Sequence, residues 1–301
     1  MADAATLHVI VLNWNGAGVI AECLDSLLRA EGASLSVIVV DNGSTDGSAA
    51  LVRERFPGVK LIENGRNLLF AEGNNVGLRH ALGAGASLML LLNNDTEVDP
   101  LFAAPMVKAF DDPRVGIVGP KIYYHDDPRR IWYGGGGFHP LTGVPRHRDI
   151  RRVDGPGTAS AGETGWVTGC ALMVRREVVE QIGLLDPAYR IYCEDVDFCL
   201  RAARAGWRLR YEPAARVWHK VSAASGGGMT PLKIENRIAG TQLLFARYRP
   251  LWWRIALLPL HAAALLGLAA ALLLGGRRTQ SAAVLRGAAR AARILFMYRR
   301  N

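Results

Sequence analysis

Three acidic side chains and one histidine stand where side chains of α/β proteins commonly do chemistry. Asp95 follows the apolar residues 88–92, and Asp41 follows the strand-like residues 36–40. A carboxylate at the carboxyl end of a buried parallel strand lies where open α/β sheets bind ligands. Asp195 precedes a stretch of helical period, and His219 follows an apolar segment. Together these groups could hold a divalent cation, bind a nucleotide and accept a proton.

Asp95 and His219 are the candidate metal ligands. A carboxylate oxygen, an imidazole nitrogen and the oxygens of a diphosphate suit Mn²⁺ or Mg²⁺. A competing interpretation treats Asn93-Asn94-Asp95 as the turn that ends a strand, because Asn and Asp are common turn residues. A lone histidine such as His219 is also more often structural than a ligand.

Asp41 is the candidate nucleotide ligand, since an Asp at a strand end can accept hydrogen bonds from a base or a ribose. The sequence Asp41-Asn42-Gly43-Ser44 is also ideal for a turn, and Ser44, Thr45 or Asp46 could cap the next helix. The glycines match neither the dinucleotide fingerprint nor the phosphate loop. Nucleotide binding would therefore need another geometry.

Polar residues also follow the other predicted strands. Asn13 and Asn15 follow the first, Asn67 and Asn75 lie after the third, and Asn94 precedes Asp95. Each could be a turn or cap residue. Three such polar ends on neighbouring strands nevertheless favour one shared cleft over three unrelated turns.

Asp195 is the candidate general base. At a helix amino terminus its carboxylate would be stabilised by the helix dipole, and plain capping is the competing interpretation. A base there would stay ionised near neutral pH and face the cleft. Glu194 would bind an acceptor hydroxyl or orient its neighbour, and Asp197 is expected to form a surface pair with Arg201.

Alternating strand and helix patterns predict an α/β fold with a mainly parallel sheet flanked by helices. Strands are predicted at residues 8–12, 36–40, 59–62, 88–92 and 170–174. Helices are predicted at residues 19–29, 48–55, 74–82, 101–110 and 195–205. After Pro120 the pattern loosens into a Gly-rich stretch, which predicts a loop to about Gly165.

Charge divides the chain of 301 residues into two parts. Residues 236–301 carry eleven Arg and no acid, so subtracting eleven from the net charge of +9 leaves the first 235 residues at −2. We therefore predict a catalytic body at 1–235 and a basic, apolar tail at 236–301. The four cysteines lack metal or redox spacing and are expected to be reduced core residues. The amino terminus lacks a signal peptide, which favours a cytoplasmic body.

The tail contains twenty uncharged residues, 255–274, which as a helix would reach about 30 Å, the thickness of a bilayer core. A single crossing would place seven of the eleven Arg outside, against the positive-inside rule. A helix broken at Pro259 would avoid this, and the apolar and basic faces after Ser281 support an interfacial helix. We expect peripheral or re-entrant attachment at the cytoplasmic face of the membrane. Residues 222–228 are either a mobile flap or a linker.

The ordered series of motifs resembles the family 2 glycosyltransferases, and within them the rhamnosyltransferase-like branch. The likeness spans about residues 7–220, and the ordered series is more specific than any one motif. It is carried by Asn13-Trp14-Asn15, residues 40–46, residues 67–75, Asn94-Asp95, Thr168-Gly169-Cys170, Glu194-Asp195 and Trp218-His219.

The resemblance implies a GT-A (Rossmann-like) fold and inverting transfer from a nucleoside diphosphate sugar. Asp41 corresponds to the residue that binds uracil or thymine, and Asp95 to the last acid of the metal-binding motif. Asp195 corresponds to the catalytic base and His219 to the downstream metal ligand. Asn67 and Asn75 match polar positions on the nucleotide side.

Two positions depart from the pattern of this family. Asn93 replaces the first acid of the metal-binding motif, which predicts weaker metal affinity. Leu69 stands where Gly is usual, which predicts a different local backbone.

The expected function is transfer of a sugar, with rhamnose among the candidates, from a UDP- or dTDP-sugar to a hydroxyl of a lipid-linked saccharide, for cell-surface polysaccharide. The alternative is an inactive sugar-nucleotide-binding protein, or one that binds RNA or membranes through its basic tail. The absence of an aromatic-rich basic patch argues against nucleic acid. The sequence does not specify the oligomeric state.

Overall fold

The computed structural model describes residues 6–221 and 230–297. The expected flap or linker at residues 222–228 lies outside the described residues. The strands are β1 Leu7–Asn13, β2 Leu35–Asp41, β3 Lys60–Glu63, β4 Leu88–Asn93, β5 Thr96–Val98, β6 Val115–Tyr124, β7 Ile131–Tyr133, β8 Gly136–Phe138, β9 Pro145–His147, β10 Gly162–Glu163, β11 Ala171–Arg175 and β12 Arg208–His219. The helices are α1 Ile20–Leu28, α2 Ser48–Arg55, α3 Leu69–Gly83, α4 Ala103–Lys108, α5 Arg176–Ile182, α6 Glu194–Arg204, α7 Pro231–Tyr248, α8 Leu251–Leu274 and α9 Arg278–Met297.

One mixed sheet forms the centre of the body, in the order β10-β12-β6-β11-β4-β1-β2-β3. Strands β1 to β4 pair in parallel, and β12 runs parallel to β6. Strand β11 runs antiparallel to both of its neighbours, β4 and β6. The apolar runs become strands because helices cover both faces of the parallel part and bury nearly every side chain of β1 and β4. The predicted α/β class and mainly parallel centre are confirmed.

The register of the parallel strands aligns their polar ends at one edge. Asn13 lies opposite Asp41, and Leu12 lies opposite Asn93. The polar residues after β1, β2 and β4 therefore meet, as the shared-cleft interpretation requires.

The predicted loop from Pro120 to about Gly165 is wrong in part. Strand β6 continues to Tyr124, and four short strands, β7 to β10, follow within this stretch. Strands of two or three residues are too short to show a period-2 pattern. Tertiary contacts form them instead: a Cβ on Gly136 would lie 2.4 Å from the Trp166 carbonyl oxygen, so only glycine allows this close approach.

Helix α7 joins the tail to the body. Leu243 and Leu244 belong to the main core, and Gly240 packs against the Tyr192 carbonyl. The boundary at residue 235 falls inside this continuous helix, and most of α7 is therefore structurally part of the body.

Helix α9 packs along α7. Arg286 forms an ion pair with Glu235 (3.2 Å), and Arg290 donates a hydrogen bond to Asn236 (3.0 Å). These contacts hold the segment that follows α8 against the body.

Helix α8 is continuous through Pro259, so the expected break there is wrong. Proline inside a helix costs about 3 kcal/mol through a lost hydrogen bond and a clash with the preceding turn, and the surrounding Ala and Leu residues, which favour helix, offset that cost. Within α8 the structure buries Ala269 alone, whereas Trp252 is 69% exposed and Leu274 89% exposed. By length and composition α8 is the one candidate membrane span in the described part of the chain.

Candidate active site

Asn13 links three strand ends at the polar edge of the sheet. Its amide nitrogen donates to Asp41 Oδ1 (2.9 Å), and its amide oxygen accepts from Asn94 Nδ2 (2.8 Å). Asn13 is fully buried. The expected contact between Asn13 and substrate is therefore corrected: Asn13 positions Asp41 and Asn94, because all its polar atoms face other protein groups.

Asp41 lies in a cradle of protein donors. In addition to Asn13, the backbone N–H of Ser44 donates to Asp41 Oδ2 (2.9 Å). The Asp41 carboxylate is nearly buried at 3% exposure, yet each oxygen retains a lone pair for another donor. Asn15 supports the same loop, since Asn15 Oδ1 accepts from the backbone N–H of Thr45 (2.8 Å).

Asp46 stabilises the loop before α2, whose N-cap residue is Gly47. Its carboxylate accepts from the backbone N–H of Ser48 at the start of α2 (3.1 Å) and from that of Ala17 (2.8 Å). Asp46 therefore joins the loops after β1 and β2.

Asn67 and Leu69 shape the entrance to α3. Asn67 is exposed, and its side-chain oxygen accepts from Asn42 Nδ2 (3.0 Å) and from the Leu69 backbone N–H (2.7 Å). Leu69 has φ +65°, a conformation that glycine adopts readily and leucine rarely. The local backbone therefore keeps a glycine-like conformation, contrary to the difference expected from the substitution.

Asn75 does not line the cleft. It is buried on α3, where its amide nitrogen donates to the Leu185 carbonyl (2.9 Å) and its oxygen accepts from the Leu185 N–H (3.0 Å). The expected contact with the nucleotide is corrected: both polar atoms of Asn75 attach α3 to the segment before α6.

Asp95 and His219 form the candidate metal pair. His219 Nε2 lies 3.1 Å from Asp95 Oδ1, and both residues are 5% exposed. Burial raises the pKa of Asp95, but His219, a backbone N–H and the charge of Lys233 together lower that pKa below its usual value. Strands β5 and β12 produce the contact, because their antiparallel register places Thr96 opposite His219.

The donor set of this pair fits a divalent cation that a substrate also binds. Among the described residues, the buried Asp95 Oδ1 contacts His219 Nε2 (3.1 Å), and the buried His219 Nδ1 makes no hydrogen bond. The described residues contain no group of three or more His, Cys, Asp or Glu side chains that could hold a metal. Two protein ligands leave most of an octahedral shell to other oxygens, as in sites that share the cation with phosphates.

Asp195 is held at the start of α6 by backbone donors. Its Oδ2 accepts from the Gly169 N–H (2.9 Å), and its Oδ1 accepts from the Val196 N–H (2.8 Å). Burial raises the pKa of Asp195, and these N–H groups oppose the rise. The adjacent Glu194 has no opposing side-chain donor, and burial and the charge of Asp195 raise its pKa well above the usual value. The backbone donors therefore favour ionisation of Asp195, whereas burial and the charge of Asp195 favour the neutral form of Glu194.

The backbone before α6 is strained. Arg190, Tyr192 and Cys193 have φ of 65°, 75° and 71°, a region that costs about 1 kcal/mol or more for side chains other than glycine. Packed neighbours maintain this conformation: the middle of α7 lies against the Tyr192 carbonyl and Cys193. The strain therefore fixes where α6 begins and where Asp195 is presented.

The expected surface pair of Asp197 and Arg201 is half right. Arg201 Nε donates to Asp197 Oδ2 (2.8 Å), but Asp197 is completely buried. Tyr189 and Tyr248 each donate a hydroxyl hydrogen bond to Asp197 Oδ1 (2.9 Å). Helix α7 covers this side of α6, which the sequence pattern did not indicate.

Lys233 is a charged residue near the candidate metal pair that no sequence motif indicated. It is 7% exposed in the first turn of α7, and its charge helps to lower the pKa of Asp95. Burial lowers the pKa of Lys233 itself. The helix-start signal Thr230-Pro231 was the available clue, since the Thr230 side chain accepts from the Lys233 N–H and places it in the first turn.

Comparisons with known proteins agree on one family. The family model described as Glycosyl transferase family 2 matches residues 8–183. The N-acetylglucosaminyl-diphospho-decaprenol L-rhamnosyltransferase of Mycobacterium tuberculosis is 29% identical over 280 residues, covering 83% of this chain and 87% of that protein. The dTDP-rhamnosyl transferase RfbF of Shigella flexneri is 23% identical over 197 residues, covering 63% and 61%.

A solved structure shows the same fold. The mannosyltransferase of Pyrobaculum calidifontis in complex with GDP-Man and Mn²⁺ has a TM-score of 0.60 at 21% identity, covering 95% of this chain and 86% of that one. The expected GT-A fold is confirmed. The family match ends at residue 183, before Asp195 and His219, so the roles of these two residues rest on their geometry.

Proposed function

The chain belongs to glycosyltransferase family 2, and from this membership we propose that it is an inverting, metal-dependent transferase. It moves a sugar, with rhamnose the first candidate, from a UDP- or dTDP-sugar to a hydroxyl of a lipid-linked saccharide. The names of the two relatives support rhamnose, a dTDP donor and a diphospho-polyprenol acceptor.

One short turn carries this proposal. The Cys170 carbonyl accepts from the Asn93 N–H (2.9 Å), and the neighbouring Gly169 N–H donates to Asp195 (2.9 Å). The turn at Gly169-Cys170 therefore contacts both acidic segments. Asp95 and Asp195 accordingly lie at the same edge of the sheet, as transfer between a diphosphate and an acceptor requires.

The two acids have different roles. Asp95 and His219 would bind Mn²⁺ or Mg²⁺, and the cation would neutralise the charge that develops on the departing diphosphate. Asp195 accepts the proton of the acceptor hydroxyl as that oxygen attacks the sugar from the face opposite the diphosphate. Glu194 stays protonated beside Asp195 and leaves the base as the ionised member of the pair.

Helix α8 is the proposed membrane attachment. Its exposed side chains are apolar, while the helices on both sides of it, α7 and α9, pack together against the body. A single crossing by α8 would separate α9 from α7. We therefore propose that α8 lies along the cytoplasmic face of the membrane and keeps the cleft near lipid-linked acceptors.

The donor can be found with a thermal-shift panel of UDP-, dTDP- and GDP-sugars in the presence of Mn²⁺ or Mg²⁺. We expect a dTDP- or UDP-sugar to stabilise the protein only with the cation. The selected donor is then tested for transfer to a polyprenyl-diphosphate-linked N-acetylglucosamine. If no donor binds or turns over and salt-sensitive RNA binding is found, the proposed function is refuted in favour of the non-catalytic alternative.

A further inference from the structure

A cavity of about 660 Å³ lies where α7 ends and α8 begins. Its volume is typical of small-molecule sites. Five guanidinium groups and one carboxylate, that of the buried Asp197, line it. We call this cavity the arginine pocket; its arginines are Arg201, Arg204, Arg247, Arg249 and Arg254.

The positive charge of the arginine pocket is only partly neutralised. Arg201 and Arg247 pair with Asp197, at 2.8 Å and 3.3 Å, and Arg247 also pairs with Asp186 at 2.6 Å. Within residues 6–221 and 230–297, Arg204, Arg249 and Arg254 form no ion pair with a carboxylate.

Aromatic rings and burial hold these three guanidinium groups in place. Arg204 stacks on Tyr248 at 4.3 Å and Arg249 on Trp253 at 5.1 Å. Arg254 Nε and Nη1 are buried and make no hydrogen bond to any residue that the structure describes. Uncompensated guanidinium groups around a cavity favour an anion that accepts several hydrogen bonds, and phosphate oxygens match their geometry.

The pocket is separate from the donor site. Asp195 and Arg204 are nine residues apart on α6, which is about 14 Å along the helix axis. The donor diphosphate belongs at Asp95 and His219, on the edge to which Asp195 points. An anion in the arginine pocket is therefore a second ligand of the protein.

The surroundings of the pocket indicate the source of that anion. Leu251 and Arg254, from the first turn of α8, form part of the wall. Trp252 and Ile255 on the same turn are 69% and 55% exposed. Tryptophan is enriched at the level of lipid headgroups.

We propose that the arginine pocket binds the phosphate-bearing headgroup of a membrane lipid. The inference rests on the proposed attachment of α8 to the membrane. Two lipids carry this chemistry: an anionic phospholipid, and a polyprenyl diphosphate such as the lipid part of the acceptor.

Vesicle flotation with the full chain tests the proposal. The vesicles contain phosphatidylcholine alone, or phosphatidylcholine with phosphatidylglycerol, with polyprenyl diphosphate, or with oleate at matched negative charge. The pocket variant is Arg204→Gln/Arg249→Gln/Arg254→Gln. The control variant, Arg277→Gln/Arg278→Gln/Arg293→Gln, removes the same charge from exposed positions outside the pocket.

We expect the phosphate lipids to tighten binding more than oleate, and the pocket variant to lose about tenfold or more of that gain. The control variant should lose less than about threefold. Dependence on phosphatidylglycerol identifies a phospholipid headgroup, and dependence on polyprenyl diphosphate alone identifies the acceptor lipid. Equal losses in both variants, or equal binding to oleate vesicles, would overturn the proposal.

Two further measurements separate other failures from this one. Binding to pure phosphatidylcholine vesicles measures the attachment through α8, and the thermal shift caused by the donor measures the state of the active site. A folded pocket variant should match wild type in both measurements. An Arg→Lys version of the same triple variant keeps the positive charge. We expect it to recover less than half of the lost binding, because lysine lacks the bidentate fork of arginine. Full recovery would contradict a phosphate-shaped site.

Discussion

His219 Nε2 lies 3.1 Å from Asp95 Oδ1, although the two residues come from distant parts of the chain. The pairing of β5 with β12 holds them together, and the second ring nitrogen of His219 is buried without a hydrogen bond to a described residue. This buried pair is the observation on which the proposed metal site rests.

Removing the charge of Asp95 should abolish cation-dependent donor binding. We expect Asp95→Asn to lower transfer by about 10²-fold or more, because a neutral amide neither attracts the cation nor balances its charge. Isothermal titration of donor with and without Mn²⁺ measures the effect, and EDTA should reproduce it in wild type. Asp99→Asn is the matched control, since the Asp99 carboxylate accepts from the Leu101 N–H (2.9 Å) outside the candidate site. Equal loss in this variant would contradict a metal role for Asp95.

Asp195→Asn should remove transfer and preserve donor binding. The asparagine keeps the shape of the side chain but cannot accept the acceptor proton, so kcat should fall by about 10²–10⁴-fold. Because burial raises the pKa of Asp195, the wild-type rate should fall as pH decreases through that raised value. Pre-steady-state transfer assays and the donor Kd report the two properties, and unchanged turnover would refute the base assignment.

Asp197→Asn, two residues along the same helix, should behave in the opposite way. It leaves Arg201 and Arg247 without their buried carboxylate and should lower the free energy of unfolding by about 3 kcal/mol. Chemical denaturation measures that loss. The kcat of the folded fraction should stay near the wild-type value, and a loss as large as that of Asp195→Asn would argue against separate roles.

Glu194→Gln should stabilise the protein only at neutral and alkaline pH. Burial raises the pKa of Glu194 above its value in the unfolded chain. The wild-type protein is therefore most stable below the unfolded pKa of about 4.3, where Glu194 is protonated in both states. Its free energy of unfolding decreases as pH rises towards the folded-state pKa. Glutamine remains neutral at every pH. The Tm difference between the variant and wild type should be near zero at low pH and should increase as pH rises above the unfolded pKa of Glu194. A constant difference would contradict a buried, protonated Glu194.

Gly16→Ala should disrupt the polar network. A Cβ on Gly16 would lie 2.3 Å from both Asn13 Oδ1 and Asn94 Nδ2, the two atoms of their hydrogen bond. We expect a loss of about 1–3 kcal/mol in stability, together with weaker donor binding. Gly18→Ala is the control, because its Cβ meets nothing within 4 Å. Similar melting curves for the two variants would show that the network tolerates displacement.

The orientation of the tail can be tested with a cysteine at Thr279, an exposed residue of α9 close to its junction with α8. The four native cysteines are buried, and burial raises the pKa of Cys23 to about 12, so they should react slowly. We expect an impermeant maleimide to label Thr279→Cys from the cytoplasmic side in inverted vesicles. Labelling only from the opposite side would establish a crossing and contradict the proposed attachment.

Strands β1 to β4 were predictable within one residue at either end because buried parallel strands are continuous apolar runs between polar turns. Helix α3 begins at Leu69, five residues before the predicted Asn74. Gly73 is a poor helix former, which obscures the first turns in the sequence pattern. The glycines of α3 allow close packing on β1: a Cβ on Gly73 would meet Leu12, and one on Gly77 would meet Ile10.

The position of a site residue was predictable where it depends only on the strand or helix that carries the residue. The alignment of Asp41 and Asp95 follows from parallel register, and the position of Asp195 follows from the start of α6. The burial of Asp197, the structural use of Asn75 and the approach of Lys233 depend on which helix covers which, and no local pattern encodes that.

The buried contact of Asp197 with Tyr248 has a practical consequence for how the protein is handled. Helix α6 presents Asp195, and the same helix is attached through this contact to the end of α7, one short turn before α8. A shortened protein that stops at residue 235 would therefore lose a wall of its own catalytic domain along with the proposed membrane helix. Biochemical work should instead retain the whole chain in detergent or nanodiscs, so that α6 keeps its contact with α7.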